Sequence, residues 1–367
     1  MALKLGLLFS TTGPYAALGA AARAGAELAA RDLAARGRRV EIVARDPAGQ
    51  PENYERLTED LLSHQHVRHV IGAITSWSRK DMAPVLERHG GLLWYPCPYE
   101  GFECHDHIVY LGASPNHHIV PLVDFLARTG VRRVYLVGSN YVWGWETLRL
   151  ARELFTRLDA EIVGERYIPL GSSDCAVATA EIAETVPDLV FNSLIGPSNA
   201  AFMDALGACG DRVRVASCNQ TEADLDRLGG RANGMFSAGS FFEEVAGPQF
   251  LVTARKAAPN GRCSAFFATS YTAVQLAAEG AEAAGTDAPR AVFDAVAGRR
   301  RDTVLGPVTI DPTTRHASLT PHLARAGDGG FEIVESAAGP VSADPYLTRL
   351  PATLTRGKRA PDLKVVR

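Results

Sequence analysis

At 367 residues the chain is too long for one ordinary hydrophobic core, so two lobes are the default expectation. A formal net charge of -3, with 46% hydrophobic and 22% charged residues, lacks the basic footprint of a nucleic-acid binder. No apolar run approaches the roughly 20 residues that cross a bilayer, which excludes membrane insertion.

Residues 3–9 form an apolar run of strand character that Thr11-Thr12-Gly13-Pro14 closes at once. A secretory leader needs about 7 to 15 apolar residues followed by a small-residue cleavage site, so this segment reads as the first buried strand. The expectation is a cytoplasmic chain, with a periplasmic chain stripped of its leader as the alternative. An alanine-rich helix over 15–35 follows, then a strand over 40–43, a helix over 52–62 and a strand over 69–74 that leads into a helix over 77–88. Strands over 91–94 and 108–111 complete a first series. Alternation of this kind predicts a parallel sheet covered by helices on both faces.

The pattern then restarts, with helices over 118–128, 145–158, 175–184 and 197–206 and strands over 134–137, 161–167, 189–192 and 213–216. A long helix over 265–284 and another over 288–297 precede short strands over 308–311, 319–324 and 331–334. The segment from 351 onward holds five Lys and Arg residues against one Asp and reads as a mobile tail. The fold class is therefore α/β, with two Rossmann-like lobes built on parallel central sheets. Two strand-to-helix turns, 71–78 and 137–143, share a polar-aromatic character, and ligands of such sheets bind beyond the carboxyl ends of strands.

All four tryptophans fall at such strand ends: Trp77, Trp94, Trp143 and Trp145. Ser76 reads as the N-cap of its helix, which leaves the N–H groups of Trp77 and Ser78 free to donate to a carbonyl or carboxylate oxygen. Arg79 and Lys80 in the same first turn read as surface or inter-lobe residues. Trp94 to Gly101 packs three aromatics and two prolines into a stiff segment, an aromatic wall on which Tyr95 and Tyr99 offer hydroxyls.

The six cysteines form no CxxC pair and no dense framework, which points to reduced thiols. The histidines at 64, 66, 69, 105 and 107 lack the spacing of a zinc site. No GxGxxG, GxxxxGK[ST] or GxSxG occurs, so neither a nucleotide cofactor nor an activated nucleophile has a motif. Two α/β lobes without a catalytic constellation describe a non-enzymatic protein that closes on its ligand like a hinge, with no cofactor and no metal.

The runs Ser76-Trp-Ser-Arg-Lys, Leu93-Trp-Tyr-Pro-Cys-Pro-Tyr-Glu-Gly-Phe-Glu103, Gly112-Ala-Ser-Pro-Asn116 and Val137-Gly-Ser-Asn-Tyr141 resemble the urea and short-chain amide branch of the type I periplasmic-binding-protein family. Glu165-Arg-Tyr-Ile-Pro-Leu-Gly171, Pro187-Asp-Leu-Val-Phe-Asn192 and Asp344-Pro-Tyr346 extend the resemblance over nearly the whole chain. It implies two discontinuous lobes, 1–116 plus 247–319 and 117–246 plus 320–350, joined by three crossings with the ligand between them.

Carried over by position, Ser76 matches a ligand-contacting serine, Tyr95 a tyrosine of the second wall, and Tyr141 a tyrosine from the other lobe. Glu222 is a further candidate at a strand end, and it or Asp224 would take the ammonium of an amino-acid ligand. Ile74 and Trp143 stand where the amide sensor of this branch carries tyrosines, Cys97 where it carries a threonine, and Pro197 where urea binders carry an acidic residue. With Trp77 and Pro98, these residues make up the expected pocket.

The expected ligand is a small neutral amide or urea. Its carbonyl would accept from the Ser76 hydroxyl and the N–H groups near Trp77. The resemblance further implies a sensor that regulates an amidase-type operon through an RNA-binding antiterminator, and a homo-oligomer is expected. The alternative is the substrate-binding component of a urea, amide or branched-chain amino acid ABC transporter, with a permease as partner.

Overall fold

The computed structural model describes residues 3–207, 213–351 and 354. In the first series, β1 (Leu3–Leu8), α1 (Ala16–Ala35), β2 (Val40–Arg45), α2 (Pro51–Glu59), β3 (His69–Gly72), α3 (Ser76–His89), β4 (Leu92–Tyr95) and β5 (Ile108–Tyr110) alternate along the chain. A second series runs α4 (Ile119–Arg128), β6 (Arg133–Ser139), α5 (Val142–Arg157), β7 (Glu161–Ile168), α6 (Ala176–Thr185), β8 (Leu189–Ser193), α7 (Gly196–Gly207) and β9 (Arg214–Ser217). It continues with α8 (Glu222–Leu228), β10 (Phe236–Gly239), α9 (Pro248–Ala257), α10 (Ala265–Ala284), α11 (Pro289–Val296), β11 (Arg301–Thr303), β12 (Gly306–Val308), β13 (His322–Gly327) and β14 (Gly330–Ser336).

One sheet has the order β2-β1-β3-β4-β5 and the other β14-β13-β10-β9-β8-β6-β7. All pairings in the first sheet are parallel, as are those from β7 through β10 in the second, while β13 and β14 join antiparallel. The strands read as continuous apolar runs because helices cover both faces: β3, β4 and β5 are buried along their whole length. Set side by side, β2-β1-β3-β4-β5 and β7-β6-β8-β9-β10 share one connectivity, a repeat that is invisible as sequence identity. The chain leaves the first sheet after β5, returns after β10 so that α10 packs on α1 and β3, and crosses again before β13. Close packing of α1 on α10 depends on Gly25, where a Cβ would stand 2.1 Å from the Phe267 carbonyl oxygen.

Four elements escaped the sequence pattern: α8, β10, α9 and β11. β10 is only four residues, Phe-Ser-Ala-Gly, without the β-branched content that marks a strand. The strand expected over 319–324 begins instead at His322, after Pro321, and Leu319 makes only an isolated bridge to Val341. That expected over 308–311 ends at Val308, where it pairs with β11. The basic tail lies outside the described residues apart from Pro351 and Leu354, whose side chain is buried. Cys209 also lies outside them, and the other five cysteines are free thiols.

Candidate ligand-binding site

In an open sheet of order 2-1-3-4-5, the loops after the strands flanking the order reversal diverge and leave a crevice at the carboxyl edge. Both sheets have that reversal, beside β1 and β3 in one and beside β6 and β8 in the other, and the two carboxyl edges face each other. A cavity of about 30 Å³ lies between them, lined by Leu18, Ile74, Ser76, Pro98, Tyr141, Trp143, Ile195, Asn219, Asp224 and Phe266. Ile74 and Ser76 follow β3, Pro98 follows β4, Tyr141 and Trp143 follow β6, Ile195 follows β8, and Asn219 follows β9. A second cavity of about 20 Å³ shares Pro98 and Asn219 and extends toward Cys218, Gln220, Phe241 and Thr269. A shallower hollow of about 550 Å³ is lined by Leu3, Arg38, Arg39 and Val40 with Ala278, Ala281 and Glu282, and one of about 660 Å³ lies among Arg45, Glu52, Asp60 and Arg88. Leu3 and Val40 open their strands, so the first hollow sits at the amino edge of the sheet, away from the turns that line the inter-lobe cavities.

The lobes meet closely around the inter-lobe cavities. Trp77 and Tyr141 are in edge-to-face contact at a centroid distance of 5.5 Å. Gly196, at φ +61°, approaches Pro14 so closely that a Cβ would lie 2.6 Å from the Pro14 carbonyl oxygen. Trp143 donates its indole N–H to the Ser193 carbonyl at 3.3 Å and lies against His118.

Behind Ser76 stands a buried ionic cluster. Arg79 is completely buried and donates from Nε to Glu103 Oε1 at 2.9 Å, and from Nη2 to Glu103 Oε2 at 3.0 Å and Glu100 Oε1 at 3.1 Å. Its guanidinium lies 4.8 Å from the Tyr95 ring centroid and 5.0 Å from that of Tyr99. Tyr110 donates to Glu103 at 2.8 Å, and Lys80 pairs with the same carboxylate at 2.6 Å. The Ser76 hydroxyl donates to Glu100 Oε2. Burial alone would lower the Arg79 pKa, but the carboxylate of Glu100 beside it, with Glu103, holds it well above the ordinary value. Burial pulls Glu103 upward, and Arg79 more than reverses this, holding the carboxyl far below the usual range. Across the cavity, Asp224 accepts from the Thr221 N–H at 3.1 Å, and the protein around it pushes its carboxyl up to about 6.

The structure brings Ile74, Ser76, Pro98, Tyr141 and Trp143 to one cavity and leaves Trp77, Tyr95, Cys97 and Glu222 outside its lining. Tyr95 reaches back to the Ile74 carbonyl at 3.4 Å, and the Cys97 thiol donates to the Ala73 carbonyl at 3.2 Å. Glu222 opens α8 rather than ending a strand, and accepts from the Glu243 N–H at 2.7 Å. Its other oxygen is buried without a partner, and desolvation pushes the carboxyl up to about 8.

Other expectations are corrected. The N-cap of α3 is Thr75, whose hydroxyl accepts from the Ser78 N–H at 3.2 Å, so Ser76 is the first helical residue and Ser78 is not a free donor. Arg79 is no surface residue, because Glu100 and Glu103 offset its charge at the helix start. Trp94 is a core residue bonded to His69, not a cleft residue, because β4 lies between β3 and β5. Trp145 is 45% exposed, with its indole on Asn140. Sequence reasoning passed over Leu18, Ile195, Asn219 and Phe266, neutral side chains on turns and helices that carried no motif. Glu100 sits inside the aromatic run with no sequence signal that marks it as a partner of Ser76 or Arg79.

A family model described as the periplasmic binding protein domain matches residues 3–352. The Leu/Ile/Val-binding protein homolog 6 of Brucella melitensis is 26% identical over 365 residues, covering 94% of this chain and 93% of its own. The Leu/Ile/Val-binding protein of Escherichia coli is 21% identical over 322 residues, with coverages of 84% and 86%. Among solved structures, an ABC transporter solute binding protein from R. palustris in complex with benzoate matches with a TM-score of 0.86 at 21% identity, covering 94% of this chain and 99% of its own. A branched-chain amino acid transporter substrate binding protein from Streptococcus pneumoniae in complex with isoleucine matches with a TM-score of 0.80 at 17% identity, covering 93% and 99%. At these identities the structural likeness speaks for the fold alone.

Proposed function

The chain belongs to the periplasmic binding protein family, and from that premise we propose that it is the solute-binding component of an ABC transporter. On this reading its ligand is a small neutral amide or a urea-like compound. The relatives described above support the transporter role over the regulator that the resemblance put first. An antiterminator partner, a homo-oligomer and a cytoplasmic placement draw no support from those relatives and are not carried forward. The lobes are assigned to 1–116 plus 247–319 and 117–246 plus 320–350, with an ABC permease as partner.

The observation that carries the ligand class is the size of the inter-lobe cavity. About 30 Å³ holds a solute of a few non-hydrogen atoms, since one water needs roughly 10 to 15 Å³. Its lining combines apolar walls, Leu18, Ile74, Pro98 and Phe266, with the polar groups Ser76, Tyr141, Asn219 and Asp224. The N–H groups of Ser76 and Trp77, in the first turn of α3, have no intrahelical acceptor and suit a carbonyl oxygen. A second reading, a small amino acid, is favoured by Asp224, which stands where an ammonium group would need a counter-charge.

Titration calorimetry with urea, acetamide, butyramide, leucine and benzoate tests the proposal. Urea or acetamide should bind more tightly than leucine or benzoate. Binding of leucine or benzoate without any amide binding refutes the ligand class.

A further inference from the structure

We infer that Glu100 sets the hydrogen-bond polarity of the cleft: it holds the proton of the Ser76 hydroxyl, so the cleft meets the ligand at that position as an acceptor and selects solutes that present N–H groups. This rests on the reading of the cleft as a site for a small amide or urea, and it adds the residue that decides between an amide and its isosteric carboxylate.

The geometry is a relay that starts in the ionic cluster. Glu103 grips Arg79 through two bonds, at 2.9 and 3.0 Å, which fixes the guanidinium. Arg79 Nη2 then holds one oxygen of Glu100 at 3.1 Å, which leaves the other oxygen facing Ser76. An ionised carboxylate is an acceptor only, so the single hydroxyl proton of Ser76 is committed to it. Glu100, Arg79 and Ser76 are buried, and the low local dielectric strengthens that bond.

What Ser76 then offers the cavity is lone pairs. An amide or urea N–H is attracted to them. A carboxylate oxygen meets a lone pair backed by the negative charge of Glu100, and across the cavity it meets Asp224. Discrimination by an unfavourable contact of this kind is the stronger form of specificity. It also reverses the hydroxyl's role expected from the sequence, where Ser76 donated to the ligand carbonyl. That carbonyl is left to the N–H groups of the first turn of α3.

The test is Glu100→Gln, measured with acetamide and acetate, which have nearly the same shape. In the variant, Arg79 Nη2 still requires an acceptor, so it orients the Gln carbonyl toward itself and turns the NH2 group toward Ser76. The serine oxygen now accepts from the Gln side chain, and its proton is released into the cleft. The ratio of acetamide to acetate affinity, above unity in the native protein, should fall at least about tenfold.

Removing one negative charge would by itself favour acetate, so Ser76→Ala is added on the Glu100→Gln background. The gain in acetate affinity should vanish in the double variant. A gain that persists there comes from charge alone and overturns the proposal. An unchanged ratio in a Glu100→Gln protein with native near-ultraviolet dichroism overturns it too, while native acetamide binding leaves the ligand reading intact.

If Glu100→Gln does not fold, Ser76→Ala in the native background decides. It should weaken acetamide several-fold more than acetate, and equal losses overturn the proposal. A native protein that binds neither urea nor acetamide, or that prefers acetate, sinks the ligand reading and this inference together.

Discussion

Replacing Arg79 with Met should destabilise the fold by about 3 to 5 kcal/mol at neutral pH, the usual consequence of leaving a buried charge without its partner. Methionine fills the space of the stem but supplies none of the three carboxylate bonds, at 2.9, 3.0 and 3.1 Å. It also removes the cation lying 4.8 Å over Tyr95 and 5.0 Å over Tyr99. Glu103 keeps Lys80 and the Tyr110 hydroxyl, while among the described residues Glu100 keeps the Ser76 hydroxyl alone.

The pH dependence separates this from a packing defect. In the native protein Glu103 is held below its ordinary pKa, so its contribution is present above that value and is lost as pH falls through the folded one. In the variant, burial still raises the Glu103 carboxyl and only Lys80 is left to lower it, so it titrates higher than in the native protein and less of its contribution is lost as pH falls. The stability gap should therefore hold from about pH 7 to about pH 5 and narrow from about pH 5 to about pH 3, so the two test values are about pH 6 and about pH 3. Urea denaturation of both proteins at the two pH values measures it through the midpoints at constant slope. A neutral-pH loss under about 1 kcal/mol, or a gap that does not change with pH, refutes the account of the cluster.

Gly196→Ala adds a Cβ where the Pro14 carbonyl stands 2.6 Å away, on a backbone at φ +61°. The variant should bind its amide at least about tenfold more weakly, because the closed arrangement is disfavoured, and an unchanged dissociation constant by calorimetry would place closure elsewhere. Asp224 is pushed up to about 6, so it gains charge as pH rises through that value and becomes a better acceptor for ligand N–H groups. Amide affinity should rise from about pH 5 to about pH 7 in the native protein and stay flat in Asp224→Asn; equal slopes by calorimetry would remove Asp224 from the site. Trp143→Tyr removes the indole that closes the wall and its bond to the Ser193 carbonyl at 3.3 Å. The enlarged cavity should shift preference from acetamide toward butyramide, at roughly 1 kcal/mol of stability, and an unaltered preference would mean that another wall limits ligand size.

The alternation of strands and helices was legible because buried parallel strands leave long apolar runs, and α10 was legible end to end from its helical period. The two turns at 71–78 and 137–143 were legible as facing elements, since both follow strands at a point of order reversal. The ionic cluster was not. Arg79 reads as exposed because a cation in the first turn of a helix is ordinarily solvated, and the carboxylates that bury it lie 21 and 24 residues away along the chain. Trp94 and Trp77 look alike as strand-end aromatics. Only the sheet order shows that one lies under two neighbouring strands while the other, 37% exposed, meets Tyr141 across the cleft. The cap of α3 was misplaced by one residue, since Thr75 and Ser76 are equally good caps by type. That single step changes the chemistry, because a serine at the first helical position is free to turn toward Glu100.

The two lobes use the same strand order for different ends. In the first, the turn after β3 is anchored by an ion cluster that fixes hydrogen-bond polarity. In the second, the turns after β6 and β8 supply Tyr141, Trp143 and Ile195, neutral groups that close over whatever the first lobe holds. The contacts that cross the cleft beside the cavity include weak ones. An edge-to-face pair such as Trp77 with Tyr141 is worth about 0.5 to 1.5 kcal/mol, and the approach of Gly196 to Pro14 stabilises only through the area it covers. Closure of that strength is readily reversed, and a ligand with bonds to both lobes shifts it by the difference in affinity between the closed and open forms. An affinity for closure that resides in the ligand, rather than in the protein, is what allows a binding protein to release its cargo when the lobes are drawn apart.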